Sequence, residues 1–375
     1  MKFRVVSAPG RGGNNPYIDL FYDALTPYQI ELVGGMQFSE HWFAEHFLEF
    51  DAIHLHWPEG LWRSYTFPIL EKMKQANYRG AWRLSSGLGK IFRNQIAEES
   101  LHWFEETLIY LRKNNKKILW TWHNYEPHES SNNQDIKGQQ ILAQYADLII
   151  FHSEYAADKS KESYDIKGKT VLMPHGNYEG VYPEPRDRAA IISELGLHPD
   201  LPIVGMLGNI REYKGVDNAI DACAYLGGEV QFLCAGNPYE SFPWSDIVQK
   251  ALALEYCALV PRRVSDQEFS DYAYASDILL FPYRSVTGSG ALLAALTLGK
   301  GVIASDLPFF RDVLGGYENA GLLVSPTTPE QLSEAIIQYL QISSKTREDA
   351  ACDLASRFRW DDVVLDVVLA IEQLR

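Results

Sequence analysis

Cysteine is scarce in this chain of 375 residues: Cys223, Cys234, Cys257 and Cys352 are the four present, all in the second half. None forms a C-x-x-C pair or sits in a histidine-rich cluster, which excludes a disulfide scaffold and the common zinc modules. The expectation is four reduced, buried small hydrophobes. Long apolar runs are missing too. No stretch approaches the roughly 18 uninterrupted apolar residues of a membrane span, and Met1–Gly10 has no apolar leader core. A cytoplasmic chain is therefore expected. There is no H-E-x-x-H, no internal repeat, no low-complexity tract and no long charge run. The Gly-rich turn Ala8–Pro16, with Gly10, Gly12 and Gly13, does not fit G-x-G-x-x-G. No acidic residue closes a second strand at the distance a dinucleotide ribose requires, so a nicotinamide or flavin cofactor is not expected.

Apolar side chains are plentiful, with 46% hydrophobic and 13% aromatic residues, enough for two full cores. The formal charge of -15 falls mostly on the second half: residues 1–180 hold 19 Lys and Arg against 22 Asp and Glu, and the remainder 15 against 27. Such a balance disfavours a nucleic-acid partner. Short β-branched or aliphatic runs alternate with amphipathic stretches, the pattern of βαβ units and parallel sheets. Strands are expected near 4–8, 52–56, 117–122, 148–151 and 170–173, then near 203–207, 230–235, 258–260, 278–281, 302–304 and 322–324. A helix is expected over 101–113. The Pro-bounded stretch 174–185 reads as a linker. The result is an α/β chain of two Rossmann-like, doubly wound domains, 1–180 and 181–358, with a cleft between them. A terminal helix, 359–375, is expected to pack near the hinge.

The residues that could carry chemistry follow strands, where open α/β sheets gather ligands. After 203–207 comes Gly208-Asn209-Ile210-Arg211-Glu212-Tyr213-Lys214-Gly215. Its two cations, three apart, could reach one polyanion beside a helix N-terminus; they also suit an ordinary solvated loop. After 278–281 comes Pro282-Tyr283-Arg284-Ser285-Val286-Thr287-Gly288-Ser289-Gly290. Its small residues leave backbone N–H groups open to an anionic oxygen, or serve tight helix packing equally well. In the first half, His123-Asn124-Tyr125-Glu126-Pro127-His128-Glu129 follows a strand. Two imidazoles and two carboxylates there could orient a sugar and act as general base, at a spacing that fits no metal motif. His56 and Glu59, after an earlier strand, could bring a second pair to the same place. Gly12, Gly13 and Asn14 read as a flexible acceptor-side loop. Lys72 to Arg93 holds six cations and no acid among aromatics. It suits peripheral contact with an anionic membrane or a lipid diphosphate, and equally a solvated face.

On these residues the chain resembles the GT-B glycosyltransferases, and within them the retaining hexosyltransferases known as glycosyl transferases group 1. The likeness is strongest from His175 to Pro308, including Pro174–Tyr178, the Gly-x-x-Arg-x-x-Lys-Gly turn and Leu298–Pro308. It implies that Arg211 and Lys214 bind a donor diphosphate. Gly208, Asn209, Tyr283, Arg284, Thr287, Gly288, Ser289 and Gly290 would then surround the donor. His123, Glu126 or Glu129 would serve catalysis, and Gly12, Gly13, Asn14, His56 and Glu59 the acceptor. The chain departs from the group at its two glutamates: counted back from Gly299, Val286 and Ala294 stand in their places. That is closer to a subgroup of exopolysaccharide and lipid-linked oligosaccharide enzymes with Thr/Ser-Gly-rich donor helices. The resemblance implies transfer of a hexose from a nucleotide sugar, GDP-mannose or a UDP-hexose, to a saccharide or lipid-linked acceptor, without cofactor or essential metal. The alternatives are a sugar-nucleotide epimerase of the same shape and a non-catalytic nucleotide-sugar-binding scaffold.

Overall fold

The computed structural model describes residues 2–13, 15–63, 93–123, 133–239, 242–325 and 327–375. It divides the chain into two compact units, one of Met1–Pro174 with Val364–Arg375 and one of His175–Val363.

The first unit is built on a six-stranded parallel sheet. Its strands are β1 (Phe3–Ala8), β2 (Ile30–Gly35), β3 (Ala52–Leu55), β4 (Lys117–Trp122), β5 (Leu148–Phe151) and β6 (Lys169–Leu172), in the order β2-β1-β3-β4-β5-β6. The inner strands β3 and β5 are buried along their whole length, as a parallel sheet covered on both faces requires. Strand β2 was not expected from the sequence. It lies at the sheet edge, ends in Gly34-Gly35 and has only one fully buried residue, Ile30, so its apolar signal is weak.

The second unit repeats the plan with β7 (Ile203–Leu207), β8 (Gln231–Ala235), β9 (Cys257–Val260), β10 (Ile278–Phe281), β11 (Val302–Ser305) and β12 (Gly321–Val324). Their order is β12-β11-β10-β7-β8-β9, all parallel. Its helices start where the sequence supplies caps. At Ser265 the side chain accepts the Glu268 N–H at 3.2 Å while Glu268 Oε2 accepts the Ser265 N–H at 2.8 Å, a complete capping box.

Three expectations are corrected here. The stretch after Pro174 is not a linker at its start, because His175, Asn177 and Tyr178 are buried in the second unit. Asn177 donates its backbone N–H to Phe358 O (2.6 Å) and its amide to Ala355 O (3.0 Å), and Trp360 Nε1 donates to Asn177 O (2.8 Å). A Cβ on Gly176 would come within 2.2 Å of the Trp360 ring, so only glycine fits beneath it. The terminal helix is two helices. Trp360–Val363 ends the second unit, and Leu365–Glu372 buries Val367, Val368, Ala370 and Ile371 and packs on β6 of the first. The cysteines are all free, but only Cys223 and Cys234 are buried; Cys257 is half-buried and Cys352, in the helix Ser344–Ser356, is exposed. Among the described residues no helix is long and apolar enough to cross a membrane.

The tightest backbone approach in the second unit joins the ends of β7 and β8. A Cβ at Gly236 would lie 1.9 Å from Gly208 O, and its φ is +155°. Gly236→Ala is expected to cost at least about 2 kcal/mol, read as a lower urea midpoint. Gly13→Ala, whose added carbon meets nothing within 4 Å, should leave the midpoint unchanged.

Candidate functional site

In each sheet the strand order reverses at one place, the position at which open α/β sheets gather ligands. In the second unit the reversal lies between β7 and β10. The loops concerned are Gly208–Gly215 and Pro282–Ser289, which the sequence had singled out separately.

The first loop closes as a turn of 3-10 helix, Glu212–Lys214, ending at Gly215, whose φ of +69° a residue with a side chain adopts at a cost. A Cβ on Gly215 would also meet Pro282 O at 2.3 Å, so the two loops lie backbone against backbone. Arg284 N donates to Tyr213 O at 2.7 Å. The Arg284 guanidinium donates to Glu212 O and pairs with Asp217 Oδ2 at 2.6 Å. Arg284 thus braces the turn that carries Arg211 and Lys214, with its charge already committed to Asp217.

Lys214 is 9% exposed. It lines a small crevice with Leu207, Gly208, Asn209, Cys234 and Tyr283. Its Nζ stands over the face of the Tyr283 ring, 5.5 Å from the centroid. Among the described residues it has no hydrogen-bond or ion-pair partner. Burial, and then the nearby Arg211, lower its pKa from 10.5 to about 8. Such a lowering corresponds to an electrostatic cost on the order of 3 kcal/mol in the empty protein. A buried ammonium that lines a crevice is chemically suited to receive an anion. The Arg211 guanidinium lies over the Tyr239 ring, 4.3 Å from its centroid.

The helix Gly290–Thr297 opens at the other loop. Ser289 caps it by accepting the Leu292 N–H at 3.2 Å and is hydrogen-bonded to the Tyr283 side chain. A Cβ on Gly290 would sit 2.4 Å from the Tyr178 hydroxyl, so packing accounts for that glycine. Thr287 and Gly288 remain half-buried at the loop surface, while Val286 and Ala294 are buried and apolar.

In the first unit the reversal lies between β1 and β3, with β4 and β5 beyond. Their carboxyl ends gather His54, His56, His123 and His152. His54 is fully buried, with Nδ1 2.7 Å from the Tyr22 hydroxyl and Nε2 2.8 Å from Thr121 Oγ1. His56 Nδ1 lies 3.3 Å from His123 Nε2, and its own buried Nε2 has no hydrogen-bond partner among the described residues. His123 is half-buried, stacked on Trp57 at 4.3 Å and met edge-on by Tyr17 at 4.8 Å. His152 Nδ1 donates to Met173 O at 2.8 Å, and its ring lies 5.0 Å from that of His123. His152 and Tyr17 were not anticipated, although His152 follows β5 as directly as His123 follows β4. Burial holds His54 neutral, with a pKa of about 3. Burial and the neighbouring imidazoles do the same for His56. Neutral imidazoles beside aromatic faces can hydrogen-bond hydroxyls and pack against a sugar ring.

The Gly-rich loop is tied down and not free-standing. Arg11 Nη1 lies 2.7 Å from Asp23 Oδ1 and 3.4 Å from Asp19 Oδ1, and the Gly12 N–H donates to Asp19 Oδ2 at 3.3 Å. Gly13 is exposed, and Glu59 opens the helix Glu59–Arg63 just beyond His56. Asn14, Glu126, Glu129 and the segment from Lys72 to Phe92 lie outside the described residues, and nothing is described of the Arg93 side chain.

With this geometry in place, comparison with known proteins is informative. Residues 187–351 match the model of the family described as "Glycosyl transferases group 1", a span containing both loops of the second-unit crevice. The chain is 25% identical over 228 residues to a D-inositol 3-phosphate glycosyltransferase of Mycobacteroides abscessus, covering 60% of this chain and 51% of that one. It is 24% identical over 303 residues to a GDP-mannose:glycolipid 4-beta-D-mannosyltransferase of Xanthomonas campestris, covering 77% and 69%. The chain thus spans about half the length of the first relative. Sucrose-phosphate synthase from Thermosynechococcus elongatus superposes over 100% of this chain and 99% of its own, with a TM-score of 0.70 and 18% identity. The fold is GT-B.

The buried histidines generate a pH prediction. Their folded pKa values lie below the unfolded value of 6.5, to about 3 for His54 and about 4 for His175. The unfolded state therefore binds more protons as pH falls below 6.5, and stability is lost from there downward. Each histidine should cost about 2 kcal/mol by pH 5. Denaturant midpoints measured from pH 8 to pH 5 are expected to hold level down to about 6.5 and then drop. Level midpoints to pH 5 would contradict the buried neutral assignment.

Proposed function

Residues 187–351 belong to the glycosyl transferases group 1 family, and from that premise we propose that the protein is a hexosyltransferase whose second unit grips a nucleotide sugar by its diphosphate. The observation that carries this reading is the buried Lys214 ammonium beside Arg211 at the strand-order reversal of a GT-B sheet. A diphosphate supplies the counter-charge that the free protein withholds from Lys214. Asn209 lines the same crevice and would contact the donor, together with the Thr287–Gly288 backbone of the neighbouring loop. Tyr283 and Arg284 hold the cations in place.

In the proposed reaction an acceptor hydroxyl forms a bond to the anomeric carbon of the donor sugar. The bond from that carbon to the phosphate oxygen breaks, and the nucleoside diphosphate departs with the electron pair. The hydroxyl proton passes to a base. Arg211 and Lys214 stabilise the charge gathering on the leaving phosphate, an effect worth several kcal/mol in a site of low dielectric. The same role is filled elsewhere by a divalent metal, and none is required in this scheme. In the first unit His123, with Glu126 or Glu129 as the base, would orient sugar and acceptor, assisted by His56, Glu59 and the Gly12–Asn14 loop.

The mannosyltransferase named above supports GDP-mannose as donor and a glycolipid as acceptor, while the resemblance of the sequence adds a UDP-hexose donor, a saccharide acceptor and a place in exopolysaccharide or glycolipid synthesis. The cationic segment from Lys72 to Arg93 would suit peripheral contact with an anionic membrane surface that presents such an acceptor.

Thermal shifts with UDP, GDP, ADP and their hexose conjugates, recorded with EDTA present, test the donor site. One nucleotide class is expected to stabilise the protein clearly, and Arg211→Ala and Lys214→Ala should each abolish the shift. No shift with any nucleotide would remove the assignment.

The lowered pKa of Lys214 gives a second test. Diphosphate affinity should be level below pH 8 and weaken as pH rises through about 8, where the free protein loses the proton. Titration calorimetry at pH 8 in buffers of different ionisation enthalpy should show net proton uptake on binding. Release of protons, or none exchanged, would exclude Lys214 as the ligand.

A further inference from the structure

We propose that Tyr239 is a positioning residue for Arg211, fixing the guanidinium where the diphosphate must lie; the inference rests on the donor-site reading above. Tyr239 stands in neither of the two loops that the sequence marks. It follows β8, in Gly236-Asn237-Pro238-Tyr239.

Backbone pairing brings it to Arg211. Beyond the ends of β7 and β8 the two chains continue side by side, with a parallel bridge between Ile210 and Pro238. Gly208 N donates to Ala235 O at 3.0 Å, Ile210 N to Asn237 O at 2.9 Å, and Tyr239 N to Ile210 O at 3.1 Å. The close approach at Gly236 permits this extension. Residues 211 and 239 therefore leave a common ladder next to each other, and the guanidinium carbon stands 4.3 Å above the Tyr239 ring centre.

An aromatic face orients a guanidinium by its quadrupole and flat surface, and leaves the N–H edges directed outward. A carboxylate in the same place would itself take those N–H edges. Tyr283 stands in the same relation to Lys214 on the other side of the turn. Both cations of the turn Arg211–Lys214 thus lie over a tyrosine ring.

The test is a double-mutant cycle read by calorimetric affinity for UDP, GDP, UMP and GMP, with unfolding midpoints measured in parallel. Tyr239→Leu should weaken binding of the preferred diphosphate by about threefold to tenfold. Tyr239→Phe, which keeps the ring, should retain it. In an Arg211→Ala background Tyr239→Leu should add little, and the monophosphate should be affected less than the diphosphate. Four results would overturn the proposal: a Tyr239→Leu loss that persists unchanged without Arg211, one equal for mono- and diphosphate, one that Phe does not rescue, or no loss at all. If Arg211→Ala itself leaves diphosphate affinity intact, or if neither UDP nor GDP binds, the donor-site reading fails and this proposal with it. If Arg211→Ala weakens binding and Tyr239→Leu does not, the positioning role alone fails.

Discussion

The second unit holds a lysine whose charge is buried, among the described residues, without a carboxylate to meet it. Lys214 could relieve that cost by reaching toward water, as surface lysines do. Instead its ammonium stays over the Tyr283 ring, on a turn that is itself braced. Gly215 turns the chain back against Pro282, Arg284 clamps the Glu212 carbonyl and Asp217, and Tyr283 walls the crevice beneath the ammonium. A site arranged in that way is preorganised for an anion: reorganisation has been completed during folding, and the anion meets a fixed charge in low dielectric.

The first unit meets the same topological constraint with different chemistry. Its sheet also reverses order, between β1 and β3, and its residues past the strand ends are likewise held by packing. What gathers there is a set of imidazoles. Burial keeps His54 and His56 uncharged, and the Tyr22 and Thr121 hydroxyls fix the ring of His54 from both sides. Imidazoles locked in this state exchange hydrogen bonds with hydroxyls without attracting counter-ions. That suits a neutral polyol, as the charged crevice of the other unit suits a phosphate. The division of labour between the two units follows from what each burial does to its titratable groups.

Much of this was legible in the sequence because parallel strands write themselves as short, continuously apolar runs. Expected and observed strands coincide closely for 117–122, 148–151, 203–207 and 278–281. Strand β2 escaped because an edge strand needs little apolar surface and Ile30–Gly35 supplies little. Strand order was not legible at all. No local pattern says that β10 returns beside β7, yet only that return makes the loops after them neighbours. Tyr239 was hidden for the same reason, since its partner Arg211 belongs to another strand and no spacing rule links them. The stretch after Pro174 misled through its prolines. His175, Gly176 and Asn177 look like linker by composition, and are buried because Trp360, far along the chain, closes over them.

The two positions where the family resemblance expects glutamates show how such a departure reads physically. Val286 and Ala294 are both buried. A carboxylate at either would have to be desolvated or paired. The apolar residues remove that demand. Their presence withdraws two groups that could hold a ribose or a sugar. Under the proposed function, donor selectivity would come from groups other than those carboxylates. On the described residues, those closest to the cations are Asn209 and the aromatic rings of Tyr239 and Tyr283. Selection would rest on fixed geometry around the diphosphate more than on a carboxylate grip at the ribose.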